Sequence, residues 1–338
     1  MRDPKEMERT PIPVGKLPVD LLSRLLGDLG PLPGEVLVGP SVGEDACVID
    51  LPGGVLVVTT DPITLCRHEI GSYAVIVNAN DVAVTGVRPK WFLATVLLPP
   101  GSVEAEVVEL FLAIRTALTE VGATLVGGHT EVTPAVTQPL VVGQMLGLAE
   151  ARGFVSSAGV RPGDVIMQVG AAPIEGSAVL AVEAASLLEH MDPALVRAAA
   201  AGFEVPGISV VEAALAAYEL GASAMHDPTE GGLASGLHEL AAASGVRITV
   251  DRARVLWFEP GLAVCDELGA DPWATLASGS LVAAFSPSEV DTALETLRAR
   301  GYAAAAVGTA ELGSGLKDSE GREIPWPERD EVSRLLRS

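Results

Sequence analysis

Carboxylates beside glycine or proline recur in the first half of this 338-residue sequence. Gly43-Glu44-Asp45 combines two adjacent carboxylates with a glycine, which lets the backbone approach a ligand closely. Asp61 follows the β-branched residues 55–60 and precedes a proline, so we expect it at the end of a strand. Mg²⁺ prefers oxygen ligands and commonly bridges carboxylates to substrate phosphates. These motifs predict metal ligands at Asp45 and Asp61 and cofactor-binding residues at Gly43 and Glu44, with a polar loop and an ordinary Asp-Pro turn as the alternatives.

The apolar segment 70–85 predicts a helix, for which Ser72 is a candidate N-terminal cap. Its interior contains Asn78, Asn80 and Asp81, although Asn and Asp are poor residues for the middle of a helix. Asn78 and Asp81 are three residues apart and therefore share one face. Burying such groups without partners costs free energy, so the pattern favours a metal or phosphate role over a solvated face.

The short motif Gly127-Gly128-His129-Thr130-Glu131 follows a predicted strand at residues 123–126. It places an imidazole, a hydroxyl and a carboxylate beside paired glycines. We take His129 as a candidate catalytic residue, Thr130 as a candidate nucleotide ligand and Glu131 as a candidate metal ligand. A structural histidine in a polar segment is the alternative.

The second half contains His226-Asp227-Pro228-Thr229-Glu230-Gly231-Gly232 at the start of a predicted helix, residues 230–243. Thr229 is a candidate cap, and Gly231 and Gly232 would expose the first N–H groups, which bind anions such as phosphate. An ordinary capped helix is the alternative. Together, the motifs predict that the first domain binds Mg²⁺ and a nucleotide and that the second domain closes on them.

The composition excludes several classes of partner. The formal net charge is -22, which repels nucleic acids and anionic lipids, and aromatic residues, which could stack on bases, make up only 4%. The three cysteines contain no CxxC pair, so neither a disulfide framework nor a cysteine zinc site is expected. The N-terminus lacks an apolar signal core, and no apolar run reaches about 20 residues. We expect a cytoplasmic protein that binds neither nucleic acid nor membrane.

Strands and helices alternate irregularly, which indicates an α+β fold of two domains. An N-terminal arm (1–35) precedes a first domain (36–150), a second domain (151–315) and a tail (316–338). We expect the charged residues from Leu312 onward to be only partly ordered.

These motifs, in this order, resemble those of the aminoimidazole ribonucleotide (AIR) synthetase superfamily, and the resemblance extends from about residue 38 to 310. The branch most similar is hydrogenase-maturation factor E. The matching segments are Gly43-Glu44-Asp45-Ala46, Asp61, Asn80-Asp81-Val82-Ala83, Gly86-Val87-Arg88-Pro89 and Asp227-Pro228-Thr229-Glu230-Gly231-Gly232.

The resemblance implies a PurM-like fold and an ATP-using, Mg-dependent protein. Asp45, Asp61 and Asp81 would bind the Mg²⁺ ions that hold the ATP phosphates. Asp227 would face the γ-phosphate or the acceptor. The resemblance also implies a homodimer in which the first-domain sheets join into a shared barrel, with ATP near the dimer and domain interfaces.

Two departures from the family pattern stand out. His129 replaces the usual metal-binding aspartate, so Glu131 is a candidate for the missing oxygen ligand. The maturation factor also ends in a cysteine that accepts a carbamoyl group, whereas the last cysteine here is Cys265. We therefore expect no reaction by that route.

Three hypotheses remain open. The first is an enzyme that uses ATP to phosphorylate or activate an oxygen of an unknown small-molecule or protein acceptor. The second is a nucleotide-binding protein that acts by docking onto a maturation complex. The third is a diverged kinase for a thiamine- or purine-like metabolite, for which Glu175-Gly176-Ser177 is a candidate acceptor segment.

Overall fold

The computed structural model describes residues 16–28, 30–64, 69–150 and 153–336. This part of the chain forms two six-stranded sheets, one in each half of the sequence, with helices packed against them. The architecture is α+β, as the sequence predicts, because both sheets are mainly antiparallel and their helices do not alternate regularly with the strands.

The first sheet carries most of the predicted site residues. Its strands, in chain order, are β1 (Val36–Val38), β2 (Cys47–Leu51), β3 (Gly54–Ile63), β4 (Pro89–Leu98), β5 (Thr124–Val132) and β6 (Leu140–Glu150). The spatial order is β1-β2-β3-β6-β4-β5, and β4–β5 is the parallel pair. Strand β5 therefore forms one edge of this sheet.

Helix α1 (Val19–Gly27) precedes the first sheet, and α2 (Ile70–Ala83) and α3 (Glu104–Val121) follow its early strands. Every residue of α2 is buried, because the helix packs on β3 and β6 while also contacting α3 and the second domain. Because α2 is surrounded by other elements, most of its side chains are apolar on every side of the helix. The N-terminal cap position of α2 is occupied by Glu69, which has a φ of +55°. The prediction that Ser72 caps this helix is therefore wrong.

The second sheet contains β7 (Val165–Val169), β8 (Ala224–His226), β9 (Val246–Val250), β10 (Leu281–Phe285), β11 (Ala304–Leu312) and β12 (Gly315–Asp318). Its spatial order is β12-β9-β11-β7-β10-β8. The helices of this half are α4 (Ile174–Glu183), α5 (Pro193–Ala200), α6 (Val211–Glu219), α7 (Gly232–Ser244), α8 (Glu259–Leu268), α9 (Val290–Ala299) and α10 (Glu331–Leu336). None of the helices in the described ranges is long and apolar enough to cross a membrane.

The two domains are packed together rather than loosely linked. The rings of Tyr73 on α2 and Phe203 lie with centroids 4.3 Å apart. Arg88 forms two hydrogen bonds to the carboxylate of Glu212, at 2.6 and 3.2 Å. A site formed by residues of both domains is therefore held by direct contacts across their junction.

The prediction of a partly ordered tail is wrong for residues up to 336. The tail adds β12 to the second sheet, parallel to β9, and Val332 of α10 is fully buried. The buried carboxylate of Asp318 accepts hydrogen bonds from Arg322 of the tail and from Arg252 of the second domain. Charge in this segment therefore reflects internal pairing and not a solvated chain end.

Candidate functional site

Four aspartates from separate segments lie within electrostatic range of one another where the two domains meet. Asp45 precedes β2, Asp61 lies in β3, Asp81 lies in α2 and Asp227 follows β8. Burial raises the pKa of the Asp81 carboxyl well above its ordinary value, and the other three carboxylates raise it further. The structure thus brings together all four aspartates named from the sequence.

Asp227 has the least usual environment of the four. Only 1% of the residue is exposed, and neither carboxylate oxygen has a hydrogen-bond partner. Burial raises its pKa well above the ordinary value, Asp45 raises it further and His226 lowers it. A buried carboxylate without partners is costly, so this group requires either a proton or a nearby cation.

Thr59 and Asn78 fix the positions of the first-domain aspartates. The Thr59 hydroxyl lies 2.8 Å from Asp81 Oδ2 and 3.0 Å from the carbonyl oxygen of Asp45. Asn78 accepts a hydrogen bond from the Asp61 backbone N–H at 2.9 Å and donates one to the Asp61 carbonyl. Asn78 thus holds the backbone of Asp61 in place. Its amide was predicted to contact a ligand, but it is hydrogen-bonded to backbone groups.

A chain of charged side chains connects the aspartates to the second domain and the N-terminal arm. His226 contacts Asp45 Oδ2 through Nδ1 at 2.6 Å and Glu239 Oε2 through Nε2 at 2.9 Å. Burial lowers the His226 pKa, but the two carboxylates raise it by more, so the ring is an imidazolium that donates to both. Burial raises the pKa of Glu239, but Lys16 and His226 lower it to about 2.

The sequence motifs missed Thr59, Glu239 and Lys16. Thr59 is two residues from Asp61 and therefore lies on the same face of β3. This spacing could have identified Thr59 from the sequence. Glu239 follows Gly232 by seven residues on α7, also one face of a helix. No local pattern marks Lys16, whose partners lie more than 200 residues away.

Three residues predicted to bind the cofactor make contacts between the two domains. A side-chain carbon on Gly43, whose φ is +86°, would lie 2.7 Å from the carbonyl oxygen of Glu239. Glu44 accepts a hydrogen bond from the Ser156 hydroxyl at 2.5 Å. The buried Asn80 amide donates to the Ile208 carbonyl and accepts from the Val210 N–H, both at 2.9 Å. The contacts of these three residues with the second domain explain why a glycine, a glutamate and an asparagine stand there. The spacing of residues in the sequence does not reveal such contacts.

At the start of α7, the N–H groups of Gly231 and Gly232, which we predicted to bind an external anion, are paired within the chain. Gly231 N–H donates to the Asp330 carboxylate at 2.7 Å, and Gly232 N–H donates to the carbonyl of Thr229. The Thr229 side chain does not cap the helix. Side-chain carbons at Gly231 or Gly232 would clash with Ser235 or with the carbonyl oxygens of Trp273 and Thr275. The two glycines therefore allow close packing, and the carboxyl group of Asp330 in the tail takes the position predicted for an external anion.

His129, Thr130 and Glu131 lie on the edge strand β5, all of whose residues are exposed. His129 pairs with Thr95 and Thr95 with Val142, so its side chain is on the opposite face of the sheet from Asp61. His129 Nε2 lies 3.3 Å from Glu131 Oε2. Within one chain, the predicted catalytic and metal roles of His129 and Glu131 are therefore separated from the four aspartates.

Among the described residues, no three His, Cys, Asp or Glu side chains are arranged closely enough to hold a metal ion by themselves. The four aspartates nevertheless fit a Mg²⁺ ion chemically, because they offer oxygen donors and include the unpartnered oxygens of Asp227. Mg²⁺ is typically held by one or two carboxylates together with waters and substrate phosphates.

Comparison with known protein families covers both domains. The model of the N-terminal domain of AIR synthase related proteins matches residues 43–149, and the model of their C-terminal domain matches residues 161–317. The chain belongs to the AIR synthase related family. The resemblance seen in the sequence motifs is thereby confirmed.

Among relatives of this family, carbamoyl dehydratase HypE of Rhodobacter capsulatus is 30% identical over 268 residues, covering 77% of this chain and 76% of that protein. HypE of Cupriavidus necator is 29% identical over 269 residues, covering 76% and 73%. Thiamine-monophosphate kinase of Corynebacterium glutamicum is 30% identical over 276 residues, covering 75% and 80%. This AIR synthase related protein is thus homologous to both groups.

Solved structures share the PurM-like fold. HypE of E. coli superposes with a TM-score of 0.72 at 20% identity, covering 94% of this chain and 99% of that chain. The structure described as AaThiL complexed with AMPPCP and TMP gives 0.71 at 20%, covering 92% and 95%. HypE in complex with ATP gives 0.65 at 22%, covering 92% and 91%. The two-domain architecture predicted from the sequence is confirmed.

Proposed function

We propose that the four aspartates bind Mg²⁺ and ATP at the junction of the two domains. The observation that carries the proposal is the convergence of Asp45, Asp61, Asp81 and Asp227, of which Asp227 has two buried oxygens without partners. Mutual repulsion of these carboxylates is relieved when a divalent cation is bound among them. A chain of net charge -22 also needs such a cation to accept a triphosphate.

Each aspartate has a proposed role that follows from its position. Asp45, Asp61 and Asp81, which the first domain holds through Thr59 and Asn78, bind Mg²⁺ ions together with waters and the ATP phosphates. Asp227 comes from the second domain and faces the phosphate that reacts. When bound, Mg²⁺ would neutralise charge on the phosphates, and the aspartates would contribute by positioning it.

The reaction we propose is ATP-dependent phosphorylation or activation of an oxygen on an unknown acceptor. Support comes from relatives, since a HypE structure contains ATP and the AaThiL structure contains AMPPCP and TMP. A diverged kinase for a thiamine-like metabolite is the second candidate. The specific observation in its favour is the 30% identity to a thiamine-monophosphate kinase over three quarters of this chain.

The binding step is tested by isothermal titration of Mg–ATP into the wild-type protein and into Asp227→Asn. We expect a measurable heat with the wild type, and affinity at least about tenfold lower with the variant, which corresponds to about 1.4 kcal/mol. Asp266→Asn, an exposed aspartate on α8, is the matched control and should bind as the wild type does. No heat and no thermal shift at millimolar nucleotide would exclude ATP binding.

Chemistry is tested separately from binding. Release of ADP with a panel of small acceptors, thiamine monophosphate included, would distinguish an enzyme from a non-catalytic nucleotide-binding partner in a maturation complex. Nucleotide binding without turnover for any acceptor would favour the non-catalytic partner. Phosphate transfer to thiamine monophosphate, at a rate that Asp227→Asn abolishes, would favour the diverged kinase.

We also propose a cytoplasmic homodimer that uses the first-domain sheet. Supporting this, the edge strand β5 is exposed along its whole length, and it includes the apolar Leu125, Val126 and Val132. An unpaired apolar edge is a surface that proteins usually cover. A second copy of this chain is the occupant that the family resemblance implies.

A further inference from the structure

Lys16 carries a positive charge from the N-terminal arm into the aspartate site. Its backbone N–H donates to Glu230 Oε2 at 3.2 Å, and its ammonium nitrogen lies 3.4 Å from Thr229 Oγ1 and 3.7 Å from Glu239 Oε1. These partners belong to the loop after β8 and to α7. Lys16 therefore contacts the second domain in the segment that follows Asp227 by two residues.

The electrostatic surroundings of Lys16 are almost entirely negative. Burial lowers the pKa of its ammonium group, but four carboxylates raise it by more, namely those of Glu239, Glu230, Asp61 and Asp45. In the described part of the chain, His226 is the second cation here, and its two ring nitrogens are both engaged by the carboxylates of Asp45 and Glu239. Among the residues that the structure describes around this site, Lys16 is therefore the cation that remains able to serve a ligand.

The geometry of Lys16 leaves its charge available. Both contacts of the ammonium group are long, and 55% of the side chain is exposed although the ammonium group itself lies among the carboxylates of the site. A lysine ammonium has three donors and a flexible stem, so it can turn toward a new acceptor without moving the backbone. Asp45 and Asp61 interact electrostatically with both Lys16 and Asp227, and the unpartnered oxygens of Asp227 mark the site that they share as incomplete.

We propose that Lys16 is a phosphate ligand of the nucleotide, delivered by the N-terminal arm. It rests against Glu239 and Thr229 in the free protein and turns to a phosphate oxygen when Mg–ATP is bound. This inference rests on the proposed function, because it needs an anion between Lys16 and the aspartates. It adds a residue outside both matched family domains, the first of which begins at residue 43.

The experiment compares Lys16→Met, Lys16→Arg and Lys90→Met with the wild type. Methionine keeps the length of the stem and removes only the charge, and Lys90 is an exposed lysine on β4 that serves as the matched control. Isothermal titration would use Mg–ATP and Mg–AMP, and thermal unfolding in EDTA without nucleotide would report on folding alone.

We expect Lys16→Met to weaken Mg–ATP binding at least tenfold and Mg–AMP binding by much less, because AMP lacks the β- and γ-phosphates. Lys16→Arg should recover most of the affinity, and Lys90→Met should leave it unchanged. Equal affinity of Lys16→Met and the wild type would overturn the inference while leaving the proposed function intact.

Two other outcomes also decide the matter. If the wild type binds no nucleotide, the proposed function fails and this inference fails with it. If Lys16→Met lowers the melting temperature in EDTA by as much as nucleotide raises that of the wild type, Lys16 is a structural counter-ion of Glu239 and not a phosphate ligand.

Discussion

At the scale of single residues, the site depends on neutral side chains that hold charged ones. Thr59 has one hydroxyl proton and two acceptors within 3.0 Å, the Asp81 carboxylate and the Asp45 carbonyl. The hydrogen bond to Asp81 lowers the pKa of a carboxyl that burial and three carboxylates raise. Thr59 therefore favours the ionised aspartate, which is the form that binds a cation.

We predict that Thr59→Val weakens Mg–ATP binding about three- to tenfold and unfolding stability by about 1 kcal/mol, through loss of one buried hydrogen bond. Titration calorimetry and urea unfolding measure the two effects. Thr60→Val is the control, because Thr60 donates a comparable hydrogen bond to the Gly143 carbonyl from the other face of the same strand. Equal affinity of the two variants for Mg–ATP would contradict the role given to Thr59.

At the scale of elements, helix α2 connects the site to the domain junction. Asn78 and Asn80, the only asparagines in the chain, both lie on α2 and have their amides satisfied by backbone groups. One supports Asp61 and the other supports residues 208–210 of the second domain. Asp81 follows them directly, so its position depends on both contacts.

We predict that Gly43→Ala destabilises the protein more than Gly53→Ala. Both glycines have positive φ, which costs an L-residue about 1–2 kcal/mol, but only Gly43 also lies against α7. The added methyl group would push on the Glu239 backbone and loosen the contact of Glu239 with His226. Urea unfolding of the two variants isolates this contact, since nothing lies within 4 Å of the corresponding position at Gly53. If Gly43→Ala and Gly53→Ala lower the free energy of unfolding equally, α7 can shift to accommodate the added methyl group and the prediction is wrong.

At the scale of the whole molecule, the second domain buries two further acids near the start of α7. Burial raises the pKa of Glu175 to about 7, and Asp330 and Glu230 contribute in the same direction. Burial also raises the pKa of Asp330 to about 7, although the N–H groups of Gly231 and Val332 lower it. Asp330 belongs to the C-terminal segment, so the ionisation state of these acids affects how that segment is held.

We predict that stability falls as pH rises from about 5 to 8. Between the unfolded pKa, near 4.5 for Glu, and the folded value of about 7, the folded protein binds more protons than the unfolded chain. The free energy of unfolding therefore decreases with pH in that window, by on the order of 1–3 kcal/mol per group. Urea unfolding measured at several pH values in this range should show that the free energy of unfolding of Glu175→Gln changes less steeply with pH than that of the wild type. Glu267→Gln, an exposed residue on α8, should keep the wild-type slope.

The exposed edge of the first sheet leads to a prediction about assembly. If a second copy covers β5, Val126→Glu and Val132→Glu place charges in the interface and should produce monomers. Light scattering after size-exclusion chromatography measures the mass. Val182→Glu, an exposed valine on α4, is the control and should remain dimeric. A wild-type protein that is monomeric at micromolar concentration would exclude this interface.

The sequence by itself determined the α+β class, the family and the four aspartates. These features are local: strand and helix periodicity, glycine and proline boundaries, and short motifs in a fixed order carry them. The helices predicted at residues 70–85 and 230–243 correspond to α2 and α7 to within two residues at each end. Strand β5 extends through Gly127-Gly128-His129, however, because pairing with β4 continues there despite the glycines.

Only the tertiary structure decided what the other motif residues do. Gly43, Glu44 and Asn80 contact the second domain, Gly231 is capped by Asp330 from the tail, and His129 lies on the face of the sheet opposite Asp61. A motif states which residue types are needed but not whether a ligand or another part of the chain meets them. Partners such as Lys16 and Glu239 are more than 200 residues apart, and only folding brings such groups together.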